Sequence, residues 1–272
     1  VLFRSHHNYK ETSDDKADWN RLMNAIADGI SRGEMTKVVS SREVEFTSET
    51  PYNVASILAN LMDNNPNCFI FGYEKDGRTF VGASPEILVR HRGSEILSYA
   101  LAGTAPKDGP NAWTEEQLLT NTKNIIEHNI VRDRIVNTMK QITPDVTVGE
   151  TGIMELSHLY HLRTIITAKD STKSLVEWAK LLHPTPALGG EPREKALALL
   201  QEYESHERGM YAAPFGFMKD MGDGIVVVAI RSALIMDNVL YAYAGCGVVA
   251  DSDADEEYAE TNNKMRTILD AL

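Results

Sequence analysis

The sequence predicts an α+β fold, in which runs of antiparallel strands alternate with helices. Two observations support this prediction: short apolar segments follow one another between glycine turns, and apolar residues at helical spacing return between those runs. The chain has 272 residues, of which 43% are hydrophobic, so it can bury one large core or two small ones. We find no repeat and no linker, and we expect a poorly patterned segment at 1–15 followed by one domain at 16–272.

Helical periodicity defines the predicted helices. In the first of them, Trp19, Leu22 and Ile26 recur at spacings of three and four and mark one buried face. A loop rich in proline and glycine, with the sequence HPTPALGGEP, separates two later helices. The predicted helices are 17–32, 53–62, 113–141, 175–182, 193–204 and 255–272.

Strands are predicted where β-branched and aromatic residues form short apolar runs. Gly77 and Gly93 mark turns between successive strands. The apolar run that begins at Ile225 is longer than the others and is predicted as one long strand, while 36–46 is a strand or a strand pair. The predicted strands are 36–46, 68–73, 79–83, 86–92, 95–102, 146–148, 155–162, 163–168, 211–218, 225–236 and 238–249.

Composition excludes several classes of protein. The net charge of −12, from 39 acidic and 27 basic residues, disfavours a nucleic-acid binder but allows a local basic pocket for a small anion. The two cysteines, Cys68 and Cys246, suit a reducing compartment rather than a disulfide scaffold. No apolar run is long enough to span a membrane. We therefore expect a cytoplasmic protein that has neither a nucleic-acid nor a membrane partner.

The C-terminal segment carries two carboxylates close together. Glu257 and Glu260 are three residues apart and share one face of the predicted last helix with Lys264. They could hold a divalent cation such as Mg²⁺, or they could neutralise the positive end of the helix. Gly245 and Gly247, in the preceding strand, let a ligand approach the backbone. These glycines also match a dinucleotide fingerprint, but no βαβ unit follows them, so we do not expect a nucleotide.

Three further charged residues are candidates for chemistry. Lys37 begins an apolar strand, where it is either solvated or partly buried and able to act as a base. Glu86 lies at a turn beside apolar residues, and a closed pocket would favour its protonated form, which suits a general acid. Glu127 follows Lys123 by one helical turn, which is typical of a surface ion pair unless Glu127 faces the C-terminal carboxylates.

Other candidates suggest binding of an anion. Arg231 interrupts an apolar run, and a buried arginine needs an anionic partner such as a substrate carboxylate. Tyr211 can donate a hydrogen bond or belong to the core. Thr185, in the HPTPALGG loop, can present its hydroxyl to a ligand or form an ordinary turn. His161 is interpreted as structural, because an isolated pair with His158 rarely makes a metal site.

Together these segments resemble the chorismate-utilising enzymes, and within them the isochorismate synthases. The resemblance rests on KVVSSR, GASPE, LAGT, the Glu-His pair, HPTPALGG, RGMY, the Arg231 strand, AGCG and a tail of the form EExxETxxK, in the family's order from Lys37 to Lys264. It implies large antiparallel sheets stacked face to face with helices outside, as in component I of anthranilate synthase. It also implies that the chain corresponds to the catalytic C-terminal portion, with the family's usual N-terminal section largely missing.

The resemblance assigns a role to each candidate. Lys37 corresponds to the base that activates water for attack at ring carbon C2, and Glu86 to the acid that protonates the departing C4 hydroxyl. Glu127 and Glu260 correspond to ligands of Mg²⁺, which binds the ring carboxylate of chorismate, with Glu257 as a neighbouring ligand or as a residue that holds a water molecule of the metal. The implied substrate contacts are Thr185, Tyr211, Arg231, Gly245, Gly247 and Lys264, of which Arg231 and Tyr211 bind the pyruvyl carboxylate.

Differences within the family favour one activity. Ala102 stands where aminodeoxychorismate synthases carry a lysine, and the HPTPALGG loop differs from that of anthranilate synthases. We therefore expect a Mg²⁺-dependent isochorismate synthase without a glutamine amidotransferase partner. The HPTPALGG and AGCG forms favour the menaquinone branch, and the siderophore branch stays open. The alternatives are a salicylate synthase and a truncated homologue that binds chorismate without turnover. Asn124 and Ala254 depart from the family's usual Asp and Pro, but neither position is catalytic.

Overall fold

Two antiparallel β-sheets and seven helices make up the part of the chain that the computed structural model describes, residues 7–272. The helices are α1 (Lys16–Ser31), α2 (Val54–Asn64), α3 (Glu115–Thr120), α4 (Thr122–Lys140), α5 (Leu175–Leu182), α6 (Arg193–Tyr203) and α7 (Ala254–Leu269). The strands are β1 (Tyr9–Glu11), β2 (Lys37–Ser48), β3 (Phe69–Lys75), β4 (Arg78–Ser84), β5 (Ile87–Arg92), β6 (Glu95–Pro106), β7 (Val146–Glu155), β8 (Leu159–Lys169), β9 (Gly190–Glu191), β10 (Pro214–Met218), β11 (Gly224–Val228), β12 (Ser232–Met236) and β13 (Val239–Val248).

The strands divide between a seven-stranded and a six-stranded sheet. The first sheet has the order β1–β2–β13–β12–β4–β3, with β9 paired to the start of β2. The second has the order β10–β11–β5–β6–β8–β7. The predicted α+β class, with large antiparallel sheets and helices, is confirmed. None of the helices in this part of the chain has the length and apolar character needed to cross a bilayer.

Apolar cores join the sheets to each other and to the helices. One core contains Phe80 of the first sheet together with Val89 of the second, and extends to Trp178 of α5. A second core packs α2 and α7 against the first sheet, for example through Leu61 and Ile268. The amphipathic faces read from the sequence therefore cover the sheets from outside.

Two of the places at which the chain passes between the sheets lie next to each other. One crossing leads from β4 to β5 through Glu86, and the other leads from β11 to β12 through Arg231. They are hydrogen-bonded to each other: the Ala83 N–H donates to the Arg231 carbonyl at 3.0 Å, and the Val228 N–H donates to the Glu86 carbonyl at 3.1 Å. Arg231 has a φ of +52°, in the left-handed region that side chains other than glycine rarely adopt. Two predicted site residues thus meet at the junction of the sheets.

The prediction of one long strand at 225–236 is wrong. The segment forms β11 and β12, which belong to different sheets and are separated by the bend at Arg231. Both halves are apolar because each lies in a buried part of its own sheet. Hydrophobic periodicity therefore could not locate the bend.

Two other predicted boundaries are corrected. The single helix at 113–141 is two helices, because Asn121 has extended backbone angles and caps α4 by accepting the Asn124 N–H. The three strands predicted between 146 and 168 are two, β7 and β8, since β7 is polar and mostly exposed and gave a weak pattern. In the poorly patterned segment 1–15, Tyr9–Glu11 pairs with the end of β2, whereas residues 1–6 lie outside the described part. A domain that begins at residue 16 stays a prediction.

Candidate active site

A pocket lies where the two crossings meet the glycine-bearing end of β13. This inner pocket has a volume of about 60 Å³ and is lined by residues of both sheets and by Glu127 of α4. It adjoins a larger outer cleft of about 720 Å³ between α7 and the segment that follows β6, and Thr104 lines both. The predicted residues that line the inner pocket are Glu86, Glu127, Tyr211, Arg231, Gly245, Gly247 and Lys264.

Lys37 and Glu127 form a buried ion pair beside Gly247. The Lys37 side chain is fully buried, and its Nζ lies 3.0 Å from Glu127 Oε1, although the two are not aligned as a hydrogen bond. A Cβ atom at position 247 would lie 2.1 Å from Glu127 Oε1 and 2.7 Å from Lys37 Cε. Glycine is therefore required here so that the lysine and the carboxylate can meet against the strand.

The neighbouring His128 anchors Glu127 in place. Its Nδ1 donates to the Ala102 carbonyl at 3.1 Å, which leaves Nε2 to accept from the Thr164 hydroxyl at 2.7 Å. Burial lowers the pKa of His128 to about 4, so the ring is neutral at physiological pH. His128 therefore fastens α4 to β6 and β8, whereas Glu127 faces the pocket.

Glu86 is a buried carboxyl group without an ionic partner. It is 2% exposed, and its Oε1 has no hydrogen-bond partner. Burial raises the pKa of Glu86 to about 8, against the opposing charges of Lys37, Arg231 and Lys264. The group is therefore protonated at neutral pH and can donate a proton to a ligand in the pocket.

Arg231 and Tyr211 lie in the same wall of the inner pocket. Arg231 Nη2 donates to His161 Nε2 at 2.7 Å, while Nη1 is buried without a partner. The Tyr211 ring stacks on that of Tyr243 at 5.5 Å, and burial raises the pKa of the Tyr211 phenol. The Tyr211 hydroxyl would be only 2.8 Å from a Cβ at Gly245. An anionic group that enters here would meet a guanidinium and a neutral phenol.

Helix α7 adds two carboxylates at the border of the outer cleft. Glu257 is 1% exposed and forms an ion pair with Lys123. Glu260 lies 2.6 Å from Lys264 Nζ, which also donates to the Gly245 carbonyl at 2.8 Å. Burial, and then repulsion from Glu260, raise the pKa of Glu257 to about 7. Lys123 thus contacts Glu257, and of the two alternatives for Glu127 the surface pair with Lys123 does not form.

The three carboxylates predicted to bind metal each lie beside one lysine. Among residues 7–272, no three acidic, histidine or cysteine side chains are gathered into a preassembled metal cluster. The three carboxylates are nevertheless near one another, because the charges of Glu127 and Glu260 raise the pKa of both Lys123 and Glu257. Carboxylate oxygens are the donors that Mg²⁺ prefers. The donor set fits this cation, while the assignment of ligands stays a prediction.

Thr185 shapes the neighbouring loop and does not line the inner pocket. It is buried, its carbonyl accepts from the Leu188 and Gly189 N–H groups, and its hydroxyl accepts from the Ala187 N–H at 3.2 Å. Ala187 and Leu188 line the pocket instead. A direct contact of Thr185 with substrate stays a prediction.

Sequence reasoning missed Arg208, which also lines the inner pocket. Its guanidinium donates to the Leu188 carbonyl and to the Val39 carbonyl, both at 2.7 Å, and so ties the loop to the strand that begins with Lys37. The only sequence signal is its position three residues before Tyr211. An arginine that satisfies backbone carbonyls carries no pattern of its own.

Comparison with known proteins identifies the family. The model of the chorismate binding enzymes matches residues 3–272. The chain belongs to this family. Isochorismate synthase MenF of Bacillus subtilis is 36% identical over 264 residues, which are 95% of this chain and 56% of that protein. The chain thus spans a little more than half the length of this curated relative.

Solved structures of family members have the same fold. DhbC from Bacillus anthracis matches with a TM-score of 0.91 at 29% identity, over 100% of this chain and 76% of that one. Anthranilate synthase component I from Streptococcus pneumoniae matches with a TM-score of 0.84 at 26% identity, over 99% and 61%. The predicted anthranilate synthase component I-like fold is therefore confirmed.

Proposed function

We propose that the chain is the catalytic portion of an isochorismate synthase, an isomerase that converts chorismate to isochorismate. The observation that carries the proposal is an acid and an amine placed close together at one pocket. Glu86 lines the pocket as a protonated carboxyl whose Oε1 has no partner, and Lys37 is a buried amine beside Glu127, which lines the same pocket, and within electrostatic range of Glu86. The 36% identity to an isochorismate synthase over most of the chain supports the same activity.

The reaction needs one base and one acid. Lys37, in its unprotonated form, takes a proton from water as the water oxygen bonds to ring carbon C2, and both ring double bonds shift as the bond from C4 to its hydroxyl breaks. Glu86 gives its proton to the departing hydroxyl, which leaves as water. Atoms balance, because one water enters and one leaves. The raised pKa of Glu86, about 8, supports the role of acid.

The substrate carries two carboxylates, and the pocket offers a cationic group for each. The unpartnered Nη1 of Arg231, beside Tyr211, suits the pyruvyl carboxylate. Glu127 and Glu260, with Glu257 next to them, would hold Mg²⁺, which when bound neutralises the ring carboxylate and orients it. A divalent cation and a dianionic substrate add no net charge, so the balance between the three carboxylates and their three lysines is preserved.

Amination is disfavoured at this site. Ala102 lines the inner pocket with a methyl group, so position 102 offers no side-chain amine to attack the ring. We therefore propose that water is the nucleophile and that no glutamine amidotransferase partner is needed. The two free cysteines support a cytoplasmic location. We favour a role in menaquinone synthesis, as in the menaquinone-specific isochorismate synthase MenF of Escherichia coli.

The direct test is to incubate the protein with chorismate and Mg²⁺ and separate the products by chromatography. We expect isochorismate, loss of activity in Lys37→Ala, and full activity in Lys219→Ala, which removes an exposed lysine as a matched control. Salicylate with pyruvate as products would overturn the assignment, and so would anthranilate formed with ammonia. Absence of any product would favour a protein that binds chorismate without turnover.

The metal assignment has its own test. Glu260→Ala should lose both Mg²⁺ binding, measured by calorimetry, and activity, because it removes a carboxylate that faces the cleft. Glu256→Ala, an exposed neighbour on the same helix, should keep both. Unchanged Mg²⁺ binding in Glu260→Ala would show that the ligands lie elsewhere.

A further inference from the structure

His161 lies between the substrate arginine and a bulge in the neighbouring strand. It is fully buried on β8, opposite Thr104 of β6. The pairing of β6 with β8 is irregular between Leu101 and Thr104, where Gly103 has a φ of +80°. The Thr104 N–H then donates to the side chain of Asn124 at 3.0 Å. The bulge brings both the Gly103 carbonyl and the Thr104 hydroxyl to the His161 ring.

The partners of the His161 ring determine where its proton lies. Arg231 Nη2, 2.7 Å from Nε2, is a guanidinium nitrogen and can only donate, so Nε2 has to accept. The Gly103 carbonyl can only accept, and Thr104 Oγ1 lies 3.1 Å from Nδ1. Nδ1 therefore carries the proton. Burial, and then the charge of Arg231, hold the pKa of His161 well below its usual value, so the ring stays neutral.

We propose that His161 is a positioning residue for Arg231: fixed as the Nδ1–H tautomer by the bulge of β6, it accepts from Nη2 and leaves Nη1 available for a substrate carboxylate. The inference rests on the proposed function, because it takes Arg231 as the group that binds the substrate. Arg231 needs such a support, since it lies at a bend between sheets with a left-handed backbone.

The same hydrogen bonds prevent His161 from taking part in the proton transfers of the proposed reaction. Its Nε2 lone pair is engaged by Arg231, and its Nδ1 proton points to the backbone of β6. Neither ring nitrogen can pass a proton to a ligand without breaking one of these contacts. His161 therefore acts on binding, and Glu86 remains the proton donor.

Nuclear magnetic resonance tests the tautomer without any turnover. Long-range ¹H–¹⁵N correlation spectra of the histidine-labelled protein show which ring nitrogen carries the proton, and the His161→Gln variant identifies the signal. We expect a neutral Nδ1–H ring that does not change between about pH 6 and 8. An Nε2–H tautomer, or protonation in this range, would overturn the proposal even if the protein makes isochorismate. Failure to turn over chorismate would leave the spectrum unchanged and would count against the function alone.

Kinetics then separate positioning from chemistry. His161→Leu removes the acceptor and should raise KM for chorismate about tenfold with a smaller change in kcat, because a hydrogen bond to a charged group is lost. His161→Gln keeps an acceptor oxygen near the place of Nε2 and should restore KM to within about threefold. His158→Gln is the control, because this half-buried histidine lies three residues away and pairs with Asp108 and Asp270 outside the inner pocket. If kcat fell equally in both His161 variants while KM stayed constant, His161 would act on the reacting atoms and the proposal would fail.

Discussion

Four glutamates surround the site, three of them buried and Glu260 half-buried, and their surroundings divide them into two kinds. Glu86, at the crossing from β4 to β5, has no ion pair, and burial raises its pKa to about 8. Glu127, Glu257 and Glu260, on α4 and α7, each lie within ion-pair distance of a lysine. One residue type therefore supplies both an unpaired, protonated acid and a set of lysine-paired carboxylates, and position in the fold decides which.

The difference follows from where each glutamate is attached. The helices place Glu127 and Glu257 beside lysines of other elements and Glu260 beside a lysine of its own helix, whereas the sheet crossing buries Glu86 without an ion pair. Charge pairing favours the ionised carboxylate and desolvation favours the protonated one, and at Glu257 both act, so that its pKa is raised to about 7. Variants that exchange these surroundings test the comparison directly.

The largest effect is expected from removing the unpaired acid. Glu86→Gln keeps the shape and polarity but cannot donate a carboxyl proton, so kcat should fall by about 10²- to 10⁴-fold. In the unmodified protein, the protonated form is the active one, so activity should decline as the pH rises through about 8. Steady-state rates across this range measure both effects. Glu150→Gln, on the exposed strand β7, is the matched control, and an equal loss in both would refute the assignment.

The same variant also changes the dependence of stability on pH. Because the pKa of Glu86 is raised from 4.5 to about 8 on folding, its contribution to stability is present below pH 4.5 and lost as the pH rises through 8. Glu86→Gln should therefore unfold with a flatter pH profile between these limits. A profile identical to that of the unmodified protein would mean that the carboxyl is not desolvated as described.

The next largest effect is expected from breaking the ion pair between Lys37 and Glu127. Glu127→Gln leaves the fully buried Lys37 beside a neutral amide, and removal of one partner of a buried ion pair costs about 3–5 kcal/mol. Denaturant unfolding measures this loss. The double variant Lys37→Met/Glu127→Gln, which removes both charges, should recover most of it although it stays inactive. If the double variant were as unstable as the single one, the pair would not be the source of the cost.

A smaller effect separates the two glycines of β13. Gly247→Ala meets only side-chain atoms, Glu127 Oε1 and Lys37 Cε, so the pair should shift and activity should fall by about 10²-fold in a folded protein. Gly245→Ala would place a Cβ 2.5 Å from the Ser40 carbonyl, a backbone atom, and should destabilise the sheet itself. Thermal melting with activity assays distinguishes the two. Equal melting temperatures for both variants would contradict this difference.

The sequence predicts the chemistry-bearing residues better than their partners. Gly247, Glu127 and Lys37 are visible as separate local patterns, but their meeting depends on the pairing of β13 with β2 and on the packing of α4. The Lys123–Glu257 ion pair joins residues 134 apart in sequence, so helical spacing pointed to the wrong partner.

The fold class was predictable from the sequence, but the bend at Arg231 between the two sheets was not. Strand periodicity identified the apolar run around Arg231, yet it could not show that the run changes sheets there. His161 was interpreted as structural from the sequence. Its contacts with Arg231 and Thr104 could not be foreseen, since the bulge of β6 beside it is marked in the sequence only by one glycine. Bends and bulges place the site, and they carry the weakest sequence signals.

The smallest effect is expected from a carboxylate added at position 124, near the glutamates that are paired with lysines. Asn124 Oδ1 accepts from the Thr104 N–H, and its Nδ2 donates to Asn121 Oδ1, which also caps α4. Asn124→Asp keeps the first contact and sets two acceptors against each other in the second, which should cost about 1 kcal/mol of unfolding free energy. Activity should stay close to that of the unmodified protein, because Thr104 remains held, and Asn111→Asp, on the exposed loop, should change neither quantity. A large loss of Mg²⁺ affinity or activity in Asn124→Asp alone would show that the lysine-paired carboxylates respond to charges other than those of their own lysines. The difference between Glu86 and the other three glutamates would then not depend on the immediate surroundings of each residue alone.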